Sequence, residues 1–334
     1  MGGSTYDSDA YTARSVHRAA TGTSAFVHDA AIKSGKIKAG VDPGMSPRGV
    51  KIRESRDSAE HPVAIPIGVI LDTTGSMQQV PVIIQGTLNK LMGTFLEDKV
   101  SGKKYLGDGY PAILIGAIDD YFAIGKDGPL QVGNYESGLE IEDDLGKLWF
   151  TGAGGGNRGE NYDLAMYFFA RHTAHDHFDK RGLKGYLFIV GDEPFFDKVS
   201  AEAVKAVIGD KIQSDIPIGT ILAEVQERYH VYFILPKMTS GWTDKPMIEG
   251  WRKLLGDEHV IKLEDPEEIC PLIASLVAAN EGLVSLADLA ADGIAASVTK
   301  ALAVVRPGAG GSVAKVSASS LPAVGGRHGG VKRL

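Results

Sequence analysis

The chain has 334 residues, of which 43% are hydrophobic and 23% charged, with a formal net charge of −7. No apolar run reaches the ~18–20 residues that cross a bilayer. The start, MGGSTYDSDAYTARS, lacks the apolar stretch of a secretory leader. The single cysteine, Cys270, excludes an intrachain disulfide and a thiolate zinc site. These features together lead us to expect a cytoplasmic protein. Charge is unevenly spread: residues 1–60 hold nine Lys/Arg and seven Asp/Glu, and residues 296–334 hold six Lys/Arg and no acid. The middle, 61–295, is left with 20 basic and 35 acidic residues, a balance of −15. Such a core argues against nucleic acid, whose phosphates need clustered positive charge, while the basic tail suits an acidic surface.

In chain order, residues 1–60 form an arm and linker, with one helix expected over Ala10–Ser34 before a Gly/Pro/Lys-rich connector. The run VAIPIGVIL (63–71) reads as a strand buried on both faces, and further strands are expected at 111–118, 186–190, 231–235 and 260–263. Helices are predicted over Gln78–Leu96, Asn161–Phe178, Ser200–Ile208, Ile218–Arg228 and Pro266–Ala291. Strands alternating with helices of this length predict an α/β fold: a doubly wound, mostly parallel central sheet flanked by helices, over residues 61–295. Residues 296–334 read as a basic low-complexity tail, too poor in bulky side chains to build a core of its own.

Ligands of an open parallel sheet gather at the carboxyl ends of its strands. The first strand runs into Asp72-Thr73-Thr74-Gly75-Ser76-Met77, where one carboxylate and two hydroxyls stand at alternate positions on a turn opening a helix. These hard oxygen donors suit Mg²⁺, with Mn²⁺ or Ca²⁺ as substitutes. A glycine-rich loop, TGAGGGNRGEN (151–161), offers Asn157, Glu160 and Asn161 just before a helix. Asp192, in Gly191-Asp192-Glu193-Pro194, follows the strand YLFIV.

Asp72-x-Thr74-x-Ser76, the glycine-rich loop and Asp192, in that order, resemble the three segments of the metal-ion-dependent adhesion site of von Willebrand factor A domains. The resemblance covers roughly residues 62–270. It implies that Thr74 and Ser76 bind an ion directly and that Asp72 and Asp192 hold it directly or through water. One position would stay open for an acidic side chain from a protein partner. The chain departs from the pattern in two places. Thr74 stands where a serine is usual, and the second-loop threonine is replaced, with Glu160 or Asn157 in its place. The extra carboxylate would hold a metal more tightly and attract an acidic ligand less. The resemblance also implies a MoxR-type AAA+ ATPase among the expected partners.

Blander readings stand beside these. Thr74 or Ser76 can serve as a helix cap, and Asp192 as a turn carboxylate before Pro194. Gly154, Gly156 and Gly159 spell G-x-G-x-x-G, but not after the first strand, where a dinucleotide site needs it. His172 and His175 would share a helix face as a transition-metal pair, or form a solvated helix end. Asp119 and Asp120 end the second strand, beside the site or in a solvated loop. Trp242, Met247 and Trp251 follow helical spacing poorly and read as core or interface. Two other functions compete. Asp72-Thr73-Thr74-Gly75 resembles the Asp-Lys-Thr-Gly of haloacid-dehalogenase-like phosphoryl-transfer enzymes, with Asp72 as nucleophile, although the lysine is missing. The chain is otherwise a structural subunit, its terminal extensions interlocking a homo-oligomer.

Overall fold

The computed structural model describes residues 4–100, 102–125, 128–152, 159–291 and 294–305. Its centre is a six-stranded sheet: β1 (Ala64–Asp72), β2 (Tyr110–Ile118), β3 (Leu130–Glu136), β4 (Gly185–Val190), β5 (Tyr229–Pro236) and β6 (Val260–Leu263). The spatial order is β3-β2-β1-β4-β5-β6. All neighbours are parallel except β3, which runs antiparallel to β2 at the edge. From β1 the chain moves outward through β2 and β3, then returns to the other side of β1 for β4. The direction of winding therefore reverses between β1 and β4, which opens a crevice outside their carboxyl ends.

The period-2 geometry of β1 sends Ile65, Ile67, Val69 and Leu71 into one core and Ala64 and Ile70 into the other. Helices α3 (Gln79–Leu96), α4 (Glu140–Gly146) and α9 (Ile269–Asn280) cover the first face. Helices α5 (Tyr162–Arg171), α6 (Ala201–Val207), α7 (Ile218–Gln226) and α8 (Lys245–Leu255) cover the second. Gly68 leaves room on the second face: a Cβ there would overlap the Phe169 ring of α5. The absence of a side chain thus sets how closely α5 lies over the strand that carries the site. Among the described residues no helix is long and apolar enough to cross a membrane.

Several expectations are corrected. The single helix at Ala10–Ser34 is two, α1 (Ser8–Thr21) and α2 (Val27–Lys33), because Gly22 closes the first in the left-handed region (φ 65°). The N-terminal arm packs into the first core through Tyr11, Phe26 and Met45, and Arg18 pairs with Glu142 at 2.6 Å. The helix expected over Asn161–Phe178 ends at Arg171. Residues Thr173–His175 instead form a short strand parallel to Arg53–Ser55. The helix over Pro266–Ala291 breaks at Gly282 (φ 69°) into α9 and α10 (Leu286–Ala291). Part of the expected tail forms α11 (Ala296–Leu302), ordered against the sheet edge, with Val298, Ala301 and Leu302 buried. Strand β3 and helices α4 and α8 were not anticipated. Met247 and Trp251 do follow helical spacing: they lie one turn apart on α8 and both are buried.

Candidate metal centre

Asp72 is the last residue of β1 and is 0% exposed. Its Oδ1 accepts from the Thr74 N–H (2.9 Å) and the Thr74 hydroxyl (2.6 Å). Its Oδ2 accepts from the Tyr162 hydroxyl of α5 at 2.7 Å. Thr74 precedes a 3₁₀ turn, Gly75–Met77, yet its side chain makes no capping bond to that turn. Ser76 is exposed, and its hydroxyl donates to Asp192 Oδ1 at 2.9 Å. Asp192 Oδ2 accepts from the Ser240 hydroxyl (2.8 Å) and the Gly241 N–H (3.3 Å), beyond the end of β5. The hydroxyls that a capping role would have spent on helix N–H groups are turned to carboxylates.

Tyr162, Ser240 and Trp251 had not been singled out for the site. Gly191 admits Tyr162, since a Cβ at 191 would overlap its hydroxyl. Trp251 stacks on Phe233 with centroids 4.0 Å apart, meets the Tyr162 ring edge-on at 5.2 Å and donates to the Glu193 carbonyl at 3.0 Å. Position in the chain offers a signal for Ser240, which lies four residues beyond β5, at the same carboxyl edge as Asp72 and Asp192. Nothing local marks Tyr162.

Asp119 and Asp120 are both 0% exposed, so the solvated-loop reading fails. Asp119 accepts from Asp120 N–H and from the Thr151 hydroxyl. Asp120 Oδ1 accepts from Phe122 N–H at 2.8 Å. Glu160 is 2% exposed, and its N–H donates to the Pro194 carbonyl at 3.0 Å, which ties the second loop to the Asp192 turn. Asn161 Oδ1 instead accepts from Tyr121 N–H, and its amide donates to Asp163. Asn157, Gly154 and Gly156 lie outside the described residues.

Electrostatics set these residues apart from an ordinary turn. Burial, opposed by the Thr74 and Tyr162 hydrogen bonds, pushes the Asp72 carboxyl up to about 7, and Asp192 adds repulsion. Burial pushes Asp119 up to about 6. Burial, with Asp72, Asp119 and Asp120 close by, pushes Glu160 up to about 10. Oε2 of Glu160 and Oδ2 of Asp120 have no hydrogen-bond partner among the described residues. Buried carboxylates facing one another without a cation are costly, so the donor set fits a hard divalent ion. Among the described residues no group of three or more Asp, Glu, His or Cys side chains is arranged to hold an ion by itself. Hydroxyls and water would have to complete any shell here.

The histidines form no such centre. His172 is bonded to Asp210 (2.8 Å) and to the Val50 carbonyl, and His175 accepts from Phe178 N–H. With the helix ended at Arg171, His172 and His175 share no helical face, and the transition-metal pair is not formed.

Fold and site together define a doubly wound α/β protein with a carboxylate–hydroxyl crevice at its switch point. No family model matches the sequence, and no characterised protein does at a significant level. Among solved structures the chain is similar to proximal thread matrix protein 1 from the mussel byssus: 11% identity, 65% of this chain, 48% of that chain, TM-score 0.39. A second structure of that protein is described with a zinc-occupied MIDAS motif (TM-score 0.38, 11% identity, 67% and 49% covered). It is also similar to the pilus adhesin SpaC from Lactobacillus rhamnosus GG (TM-score 0.41, 10% identity, 68% and 31% covered). A third is the ArnB paralog VWA2 from Sulfolobus acidocaldarius (TM-score 0.33, 13% identity, 64% and 45% covered). The chain spans less than half the length of each, and likenesses this loose carry no argument.

Proposed function

We propose that the chain is a binding module whose crevice holds a divalent cation, in the manner of the von Willebrand factor A domains it resembles. One observation carries the reading: Thr74 turns its hydroxyl to Asp72, and Ser76 turns its own to Asp192, 116 residues away. Thr74 and Ser76 would bind the ion through oxygen, with Asp72, Asp192 and Glu160 holding it directly or through water. Mg²⁺ is the ion of choice and Mn²⁺ its working substitute. The ion would supply a fixed positive centre and free coordination positions for a protein partner, a MoxR-type AAA+ ATPase being one such partner. Asp72 is poorly disposed to be a phosphoryl-accepting nucleophile, since it is buried and both its oxygens are engaged.

Calorimetric titration of Mn²⁺ and Mg²⁺ into wild type, Ser76→Ala and Asp192→Asn tests this. Wild type should bind at millimolar or tighter, and each variant should weaken binding by roughly tenfold or more. Equal binding by all three proteins would sink the assignment. Metal-dependent phosphatase turnover that disappears in Asp72→Asn would favour the enzyme instead.

A further inference from the structure

The crevice is more acidic than one ion requires. Asp72, Asp119, Asp120, Glu160 and Asp192 are all buried there, and among the described residues no lysine or arginine forms an ion pair with any of them. Two of the carboxylates, Asp120 and Glu160, each keep one oxygen with no hydrogen-bond partner among the described residues. A single divalent cation neutralises two charges, and any three of these five carboxylates already outweigh it, so the loaded crevice stays negative and repels an acidic side chain. It attracts a cationic one.

The rim has the matching shape. Phe122, two residues beyond Asp120, is 59% exposed. Its ring sits edge-on to Phe196 at 5.3 Å, on the loop that follows Asp192. An exposed ring, with half-buried Phe196 beside it, next to buried carboxylates suits a lysine or arginine, by cation–π attraction and charge together. At the same carboxyl edge, a cavity of about 450 Å³ is lined by Gln79, Val82, Ile83, Met238, Pro266 and Glu267. Val82 and Met238 are 53% and 39% exposed.

The chain carries a segment of complementary chemistry. Residues 306–334 contain five Lys/Arg and no acid, with Val313, Val316, Leu321 and Val324 between the charges. The last described helix, α11, packs on β6, and its Lys300 is ion-paired with Glu264, two residues before the cavity-lining Pro266. The chain thus leaves the described structure beside this edge. We infer that residues 306–334 are the ligand of the acidic crevice, seating apolar residues in the cavity and basic ones against Asp120, Glu160 and the Phe122–Phe196 rim. This deepens the cation-site reading and rests on it for the ion, while replacing the acidic ligand that the resemblance implies. The tail competes with the ion for the same charge.

Zero-length carbodiimide cross-linking of the dilute full chain, mapped by mass spectrometry, tests the contact. Lys315 or Lys332 should join Glu193 or Glu202, at the mouth of the crevice, within one chain, and the links should fade at about 0.5 M salt. In parallel, Mn²⁺ titration should show at least threefold tighter binding when Lys315, Arg327, Lys332 and Arg333 are all changed to Gln. No links together with unchanged Mn²⁺ affinity overturns the inference, as do links formed only between copies. A wild type that binds no Mn²⁺ but still forms the intrachain links defeats the ion reading and leaves the tail contact standing.

Discussion

Asp72 shows how much of the site is settled by contacts one side chain makes. Its first oxygen is satisfied locally by Thr74, two residues on, and this pairing is legible in DxT. Its second is satisfied by Tyr162, 90 residues away, and only because position 191 is glycine. Tyr162→Phe removes that donor and leaves a buried carboxylate oxygen unpaired. The expected cost is about 1–3 kcal/mol in urea unfolding without metal. Gly191→Ala should cost a comparable ~1–3 kcal/mol by forcing the tyrosine off the crevice. It should also weaken Mn²⁺ binding, because Asp72 loses its orientation. A Gly191→Ala protein with wild-type stability and affinity would show that the close approach has no consequence. Asn161 shows the limit of residue-level reading: it sits in the right loop but spends its amide on Tyr121 and Asp163.

At the scale of elements, helix α8 is the one whose absence from the sequence reading matters most. Its apolar residues Met247, Ile248, Trp251, Leu254 and Leu255 do fall at helical spacing, but they fill only about three turns, and Pro246 and Gly250 inside the run mask the pattern. Asp244 caps it by accepting from Met247 N–H at 3.0 Å, a start signal that is readable once the helix is suspected. The helix delivers Trp251 between β5 and the site. Trp251→Ala should destabilise the protein by about 3–5 kcal/mol in chemical denaturation. The loss should exceed that of Trp242→Ala, since Trp242 is only partly buried against the same core. Comparable losses for the two would argue that Trp251 has no special supporting place. Helix α5 ends early because Thr173–His175 is drawn into pairing with Arg53–Ser55, a segment some 120 residues earlier. No local pattern announces that partner, and the tertiary pairing overrides helix propensity.

For the whole molecule, the ion-free protein carries two opposed families of buried titratable groups. Burial raises Asp72 and Asp163, each to about 7, above the ordinary carboxylate value near 3.9. The folded state then holds protons the unfolded state has released, so this stability is full at low pH and lost as pH rises through about 7. His175 and His230 are pushed by burial down to about 3 and about 4, so their contribution is lost as pH falls below about 6.5. Asp119 (about 6) and Glu160 (about 10) are raised as well, so four carboxyls outweigh the two histidines. In a chelator, the melting temperature should therefore climb as pH falls from 8 to 6.5 and go on rising, less steeply, toward about pH 5. With saturating Mg²⁺ the climb should shrink, because the ion takes the place of the proton. Identical scanning-calorimetry profiles with and without Mg²⁺ would contradict this. At the same scale, the sequence alone determined the alternating strands and helices, the central buried strand, the local Asp72–Thr74–Ser76 turn and the acidic middle of the chain. All of these follow from side-chain period, backbone turn chemistry and charge count, which act over a few residues. Tertiary structure alone decided that the N-terminal arm joins the core, that an antiparallel strand closes the sheet, and which distant groups face Asp72 and Asp192. Those outcomes depend on which surfaces are left uncovered once the sheet has formed, and that is a property of the assembled layers.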